Sequence, residues 1–123
     1  MAKHNILGNS GEDSACEYLQ KKGYSIIERN WRSGHKELDL IASNGSELVI
    51  VEVKTRSGRQ FGNPQDAVTD RKIMRIVSAA HAYVRYHRID LPVRFDIISI
   101  VNDGCEETIE HIERAFIPPL WSR

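Results

Sequence analysis

Residues 47–54, Glu-Leu-Val-Ile-Val-Glu-Val-Lys, constrain the fold of this chain more than any other stretch. Leu48, Val49, Ile50, Val51 and Val53 form an almost unbroken apolar, mostly β-branched run. A run without polar alternation is the pattern of a strand covered on both faces. The segment is therefore expected as a central strand, with layers packed above and below it. A chain of 123 residues is the size of one such domain and too short for two ordinary cores, so residues 1–123 are read as a single domain.

The remaining elements fall in order around that strand. Ser10 and Asp13 resemble a helix N-cap arrangement, and Ala15, Cys16 and Leu19 share one stripe before Gly23, which predicts a helix from Ser10 to Lys22. Tyr24 to Trp31 reads as a strand, Ser33-Gly34 as a turn, and Glu37 to Ala42 as a second strand closed by Asn44-Gly45, a strong hairpin signal. After the central strand, Ser57 to Asn63 has loop composition and Pro64 can open a helical turn. Thr69-Asp70 caps a helix whose Ile73, Ile76, Val77, Ala80 and Val84 recur at helical spacing as far as His87. Val93 to Val101 and Glu107 to Glu113 read as two more strands around Asp103-Gly104. The order αβββαββ predicts an α/β (α+β) domain, with a mixed sheet flanked by helices and a crossover from the third strand to the fourth.

Against this apolar background, Asp39 interrupts Leu38, Leu40 and Ile41, and Glu52 and Lys54 interrupt the central strand. An unpaired buried carboxylate is costly, so these groups must be ion-paired, metal-bound or exposed at a sheet edge. Strand alternation puts Glu52 with Lys54 on one face and Glu37 with Asp39 on one face, and the hairpin can set Asp39 beside Glu52. Two carboxylates with one ammonium suit Mg²⁺, with Mn²⁺ as a substitute, acting on a phosphodiester. Such a cation takes a few protein oxygens and completes its shell with water and phosphate. Lys54 could orient the attacking water or hold the phosphate. The structural alternative is a salt-bridge set on a sheet face.

Asp39 followed by Glu52-Val53-Lys54 resembles the D…ExK signature of the PD-(D/E)xK nuclease superfamily. The string Asn30-Trp31-Arg32…Glu37-Leu38-Asp39-Leu40-Ile41-Ala42…Val51-Glu52-Val53-Lys54-Thr55-Arg56 resembles the bacterial YraN/UPF0102 family of predicted endonucleases. The resemblance extends from Gly11-Glu12 to Arg94-Phe95-Asp96, with Lys36 standing where the family often has Gly. It implies a restriction-endonuclease-like core similar to archaeal Holliday-junction resolvases. It also implies catalytic Asp39, Glu52, Lys54 and Glu12, and a metal held at Asp39, Glu52, Val53 and Glu12. A favourable charge at a helix N-terminus explains Glu12 equally well. Gln65 falls where related nucleases place a polar residue near the active centre, or simply begins a helix.

Net charge is zero overall, but residues 54–94 carry 9 basic and 3 acidic side chains. In this block Arg56, Arg59, Arg71, Lys72 and Arg75 are candidate contacts to a nucleic-acid backbone, whereas a solvated face better explains Arg85 and Arg88. The five histidines and the cysteines Cys16 and Cys105 lack zinc-ligand spacing, and no Ser/His/Asp or Gly-rich nucleotide motif is present. No apolar run approaches the ~18–20 residues of a membrane span, and Met1 to Gly11 lacks a signal-peptide core, so a cytoplasmic protein is expected. The functional reading is a metal-dependent DNA endonuclease, with branched or repair intermediates among its candidate substrates. The alternative is a nuclease-fold protein that binds nucleic acid or a repair partner without cutting. Two cuts at a junction would call for a homodimer, for which Phe116, Ile117, Leu120 and Trp121 offer an apolar surface unless they pack on their own sheet.

Overall fold

In a computed structural model of the chain, residues 10–57, 68–102 and 104–117 are described. The elements are α1 (Ser10–Lys21), β1 (Ser25–Ser33), β2 (Lys36–Ser43), β3 (Leu48–Ser57), α2 (Asp70–His87), β4 (Val93–Asn102) and β5 (Glu107–Ile112). The five strands form one sheet in the order β1-β2-β3-β4-β5, antiparallel throughout except for the parallel β3–β4 pair. This is the mixed αβββαββ architecture anticipated from the sequence. β3 continues to Ser57, beyond the expected end at Lys54, because β4 pairs with it as far as Ser57–Asn102. Among the described residues no helix is long and apolar enough to cross a membrane.

Both faces of the sheet are covered, as the apolar run of β3 requires. Leu48 and Ile50 point into the α2 layer with Leu38, Ile41, Ile76, Tyr83, Phe95 and Ile97. Val49 and Val51 point into the α1 layer with Ala15, Cys16, Leu19, Leu40, Ile98 and Ile100. Helix α1 lies so close to the sheet that a Cβ on Gly11 would collide with the Thr55 hydroxyl, which explains a glycine inside its first turn. Helix α2 starts where Thr69 accepts the Lys72 N–H at 3.2 Å and ends at Arg88, which is left-handed at φ 53°.

Besides the register shift between Ile26 and Glu28, alternation fails beside Asp39. Leu38 and Leu40 lie two residues apart in β2 yet belong to opposite layers. Likewise Trp31 joins the α2 layer while Arg29 reaches Asp13 of α1 at 2.7 Å. Between the Arg29–Leu40 and Trp31–Leu38 pairs stands Asn30, with φ 51°, opposite Asp39. Asparagine tolerates this left-handed conformation better than most residues. The simple alternation expected for β2 thus does not run through Asp39.

The α1 layer also buries charge. Asp96, fully buried, takes two bonds from Arg94, at 3.0 and 2.8 Å, and the Arg114 N–H at 3.1 Å. His111 Nε2 lies 2.7 Å from its Oδ2. Arg94 also donates to Tyr24 and Glu47. Burial alone would raise the Asp96 carboxyl, but the bonds from His111, Arg94 and the Arg114 N–H outweigh it and hold it below its usual value. The unfolded chain then binds that proton more readily than the folded one. The stabilisation is accordingly complete above the ordinary carboxylate value of about 4 and is lost as pH falls through the depressed one. Replacing Asp96 with Leu strands the buried Arg94 guanidinium and should cost about 3–5 kcal/mol. Urea unfolding should show a lower midpoint and a flatter acid limb than wild type; an unchanged midpoint would deny Asp96 its structural role.

Candidate functional site

The β2–β3 ladder closes from Ser43–Leu48 to Leu40–Val51, and there the strands part. Continuing that register sets Asp39 beside Glu52, on the two sides of the opening. Asp39 Oδ2 accepts the Val53 N–H at 3.0 Å, so the carboxylate satisfies a β3 main-chain donor just past the end of the ladder. Glu52, Lys54 and Arg56 follow Leu48 and Ile50 along the face of β3 that looks toward α2. The two carboxylates predicted to be neighbours therefore are neighbours.

Their electrostatics follow from that placement. Burial, reinforced by the negative charge of Glu52, pushes the Asp39 carboxyl up to about 6. Lys72, from the first turn of α2, places its Nζ 2.8 Å from Glu52 Oε2, and this contact raises the Lys72 ammonium above its ordinary value. Lys54 is shifted the other way, by burial and by the adjacent Lys72. Two carboxylates and two ammonium groups thus meet where β2 leaves β3. A buried Asp39 whose ionisation the charge of Glu52 opposes, beside a Glu52 that already draws in a cation, fits a hard divalent ion that keeps most of its own waters.

Glu12, on α1, is held by side chains of β1. Its Oε1 accepts from Asn30 Nδ2 at 2.9 Å and lies 3.9 Å from Arg29 Nη2. Among the described residues no group of three or more His, Cys, Asp and Glu side chains stands together as a metal cage. Val53 supplies its N–H to Asp39 while its side chain packs in the α1 layer.

A groove of about 1180 Å³ opens over the carboxylates, lined by Lys36 and Glu37 from β2, by Asp39 and Glu52, and by Arg71, Lys72 and Arg75 of α2. Arg71 and Arg75 are exposed on its wall, and Arg56 is half-buried on β3. Arg59 and Gln65 lie outside the described residues, as do Leu120 and Trp121. Of the apolar C-terminal segment, Phe116 stacks on Phe95 with ring centroids 5.2 Å apart, and Ala115 donates its N–H to the Phe95 carbonyl at 2.7 Å, whereas Ile117 is exposed. The segment packs on its own sheet through Phe116.

The contact of Lys72 with Glu52 was not read from the sequence, which placed Lys72 only in a basic block near the site. The crossover contained the signal. A helix returning antiparallel between two parallel strands must begin near the C-terminal end of the first strand, which carries Glu52 and Lys54.

Comparison with known proteins bears on the fold and the family. The fold is similar to that of Archaeoglobus fulgidus Hjc, described as a Holliday junction resolvase from an archaeal hyperthermophile. The TM-score is 0.51 at 16% identity, covering 87% of this chain and 77% of that one. That likeness gives the sheet and its helices the restriction-endonuclease-like fold expected above. In sequence, the chain is 56% identical to a UPF0102 protein of Phocaeicola vulgatus and 54% identical to one of Bacteroides fragilis, each over 98% of this chain and 100% of the relative. It is also 53% identical to one of Flavobacterium psychrophilum over 94% of this chain and 98% of the relative. Residues 11–100 match the profile described as Uncharacterised protein family UPF0102, and with relatives this similar along nearly the whole chain the protein belongs to the UPF0102 family.

Proposed function

We propose that this protein is a divalent-metal-dependent endonuclease that hydrolyses phosphodiester bonds in DNA, branched DNA included. The observation that carries the reading is the juxtaposition of Asp39 and Glu52 where β2 parts from β3, with Lys54 on the same face and cationic α2 across the groove. Asp39 and Glu52 would hold Mg²⁺ or Mn²⁺. Such an ion, when bound, supplies Lewis-acid polarisation of a phosphoryl oxygen and a lowered pKa for water. Lys54 is positioned to orient the attacking water or to hold the scissile phosphate. Lys72 must release Glu52 when a cation takes its place, which leaves its ammonium free for a phosphate in the same groove.

The resolvase-like fold supports this reading. A role in binding without cutting has no specific observation in its favour, because such a role gives no reason to crowd two carboxylates together. The deciding experiment is a cleavage screen of the full chain over linear, single-stranded, flapped and four-way DNA with Mg²⁺ or Mn²⁺. Activity that vanishes in Glu52→Gln and Asp39→Asn supports the proposal, and absence of cleavage on every substrate counts against it.

Two further outcomes are expected. Calorimetric titration with Mn²⁺ should show binding that Asp39→Ala or Glu52→Ala weakens at least tenfold, about 1.4 kcal/mol, and that Lys72→Ala strengthens by removing the competing ammonium. Equal affinity in all three variants would remove the metal from this site.

The raised Asp39 carboxyl gives the second outcome a definite sign. In the metal-free protein the folded state holds this proton more tightly than the unfolded one, so above about pH 6 the ionised group opposes folding. Asp39→Asn keeps an acceptor for the Val53 N–H and loses the charge. It should therefore raise the metal-free thermal midpoint at pH 8, with the gain shrinking as pH falls through about 6 toward the ordinary carboxylate value near 4. A midpoint lowered equally at all pH values would contradict the assigned titration.

A further inference from the structure

The groove over Asp39 and Glu52 continues beyond them. A second cavity of about 540 Å³ follows α2 toward its C-terminal end, lined by Met74, Val77, Ser78, Ala82 and Arg85 and, across from the helix, by Lys36. Lys36, Met74 and Ser78 line both spaces, which makes them one cleft between α2 and the start of β2. The lining side chains follow one helical stripe at positions 74, 78, 81 and 85. From Lys72 to Arg85 the helix advances about 20 Å at ~1.5 Å per residue.

The chemistry of this extension differs from that of the carboxylate end. Its floor is apolar: Met74 is 49% exposed although it sits in the cleft, beside Val77 and Ala82. Its rim is cationic, with Lys36 on one side and Arg85 on the other, and Arg75 stands nearer the carboxylates. Helix α2 carries four Lys or Arg, at 71, 72, 75 and 85, against a single acidic residue, Asp70, in its first turn. Cations flanking an apolar floor complement a polyanion that also presents flat apolar faces. An unpaired nucleic-acid strand has that character, because its bases are free to lie on a surface while phosphates follow the rim. A paired duplex turns its bases inward and would leave Met74 without a partner. A space of this volume falls in the ~300–1,000 Å³ range that encloses a small-molecule-sized group, the scale of individual nucleotides.

We propose that this cleft is a binding track for an unpaired DNA strand leading to Asp39 and Glu52, with bases on Met74, Val77 and Ala82 and phosphates on Lys36, Arg75 and Arg85. The inference rests on the nuclease reading for the identity of the polyanion, and it narrows the substrate to DNA with a single-stranded segment beside the cut. It also gives Arg85 a ligand, where the sequence alone suggested only a solvated face.

Fluorescence anisotropy of the full chain in EDTA, where no cutting occurs, tests the track with three probes: a fluorescein-labelled oligothymidylate, an abasic oligomer of the same length, and a blunt duplex. Wild type should bind the oligothymidylate more tightly than the abasic strand, which carries the same phosphates without bases. Met74→Ala should erase that difference. The pair Lys36→Ala and Arg85→Ala should weaken oligothymidylate binding about tenfold at low salt. It should also flatten the dependence of log affinity on log salt by about 1.4, at ~0.7 for each lost contact to a single strand. Arg85→Gln, which retains the side chain's length without its charge, should reproduce part of that loss, and circular dichroism should show each variant folded.

Equal affinity of wild type for the two single strands would overturn the proposal. So would an oligothymidylate affinity untouched by the double substitution, or a duplex affinity that falls in parallel with it. Mn²⁺ titration of Asp39→Ala and Glu52→Ala separates the two readings. A track that behaves as described beside carboxylates that bind no metal leaves this inference standing and removes the nuclease; metal binding and cleavage without strand preference do the reverse.

Discussion

β3 is bonded along both edges, antiparallel to β2 over Leu48–Val51 and parallel to β4 along its whole length. From Leu48 to Val51 every side chain is apolar and buried, alternately beneath α2 and beneath α1. Beyond Val51 the same strand carries Glu52, Lys54 and Arg56 on the α2 side. β3 keeps one unbroken register with β4 from Leu48 to Ser57, so the burial that anchors Leu48 to Val51 also dictates where those charges emerge. They emerge where β2 has separated and α2 begins, and the rest of the site is arranged around that point.

Asp39 and Asp96 show how partners alone decide what a buried carboxylate does. Asp96 meets a guanidinium, a main-chain N–H and an imidazole, and is held below its usual pKa as a fixed strut between β4, β5 and the segment that follows. Asp39 meets one main-chain N–H and another carboxylate, and is pushed up to about 6. The first network is satisfied within the chain. The second sets a buried carboxyl against a neighbouring carboxylate, and Lys72 on Glu52 is the chain's own partial answer. Concentrated strain of this kind marks a place suited to an external cation.

Asn30 links the two sides of the sheet near this point. Its left-handed backbone stands opposite Asp39 in the β1–β2 register, and the strands exchange faces across it, which carries Trp31 and Leu38 into the α2 layer. Its side chain meanwhile holds Glu12 of α1. The acidic residue of the first helix is thereby fastened to the strand that pairs with Asp39.

Much of this was written in the chain order. The unbroken apolar run of β3 demanded two covering layers, the Asn44-Gly45 and Gly34 turns set the meander, and Thr69 marked the start of α2, because each signal is local and depends only on neighbouring residues. The pairing of Asp39 with Glu52 was legible for the same reason, since a short hairpin fixes its own register. Lys72 on Glu52, the exchange of faces at Asn30, the hold of Asn30 on Glu12 and the continuation of the groove to Lys36 and Arg85 were decided only in three dimensions. Each depends on where α1 and α2 settle on the sheet, and that docking is set by side-chain packing between residues far apart in sequence, which hydrophobic period and turn chemistry do not encode.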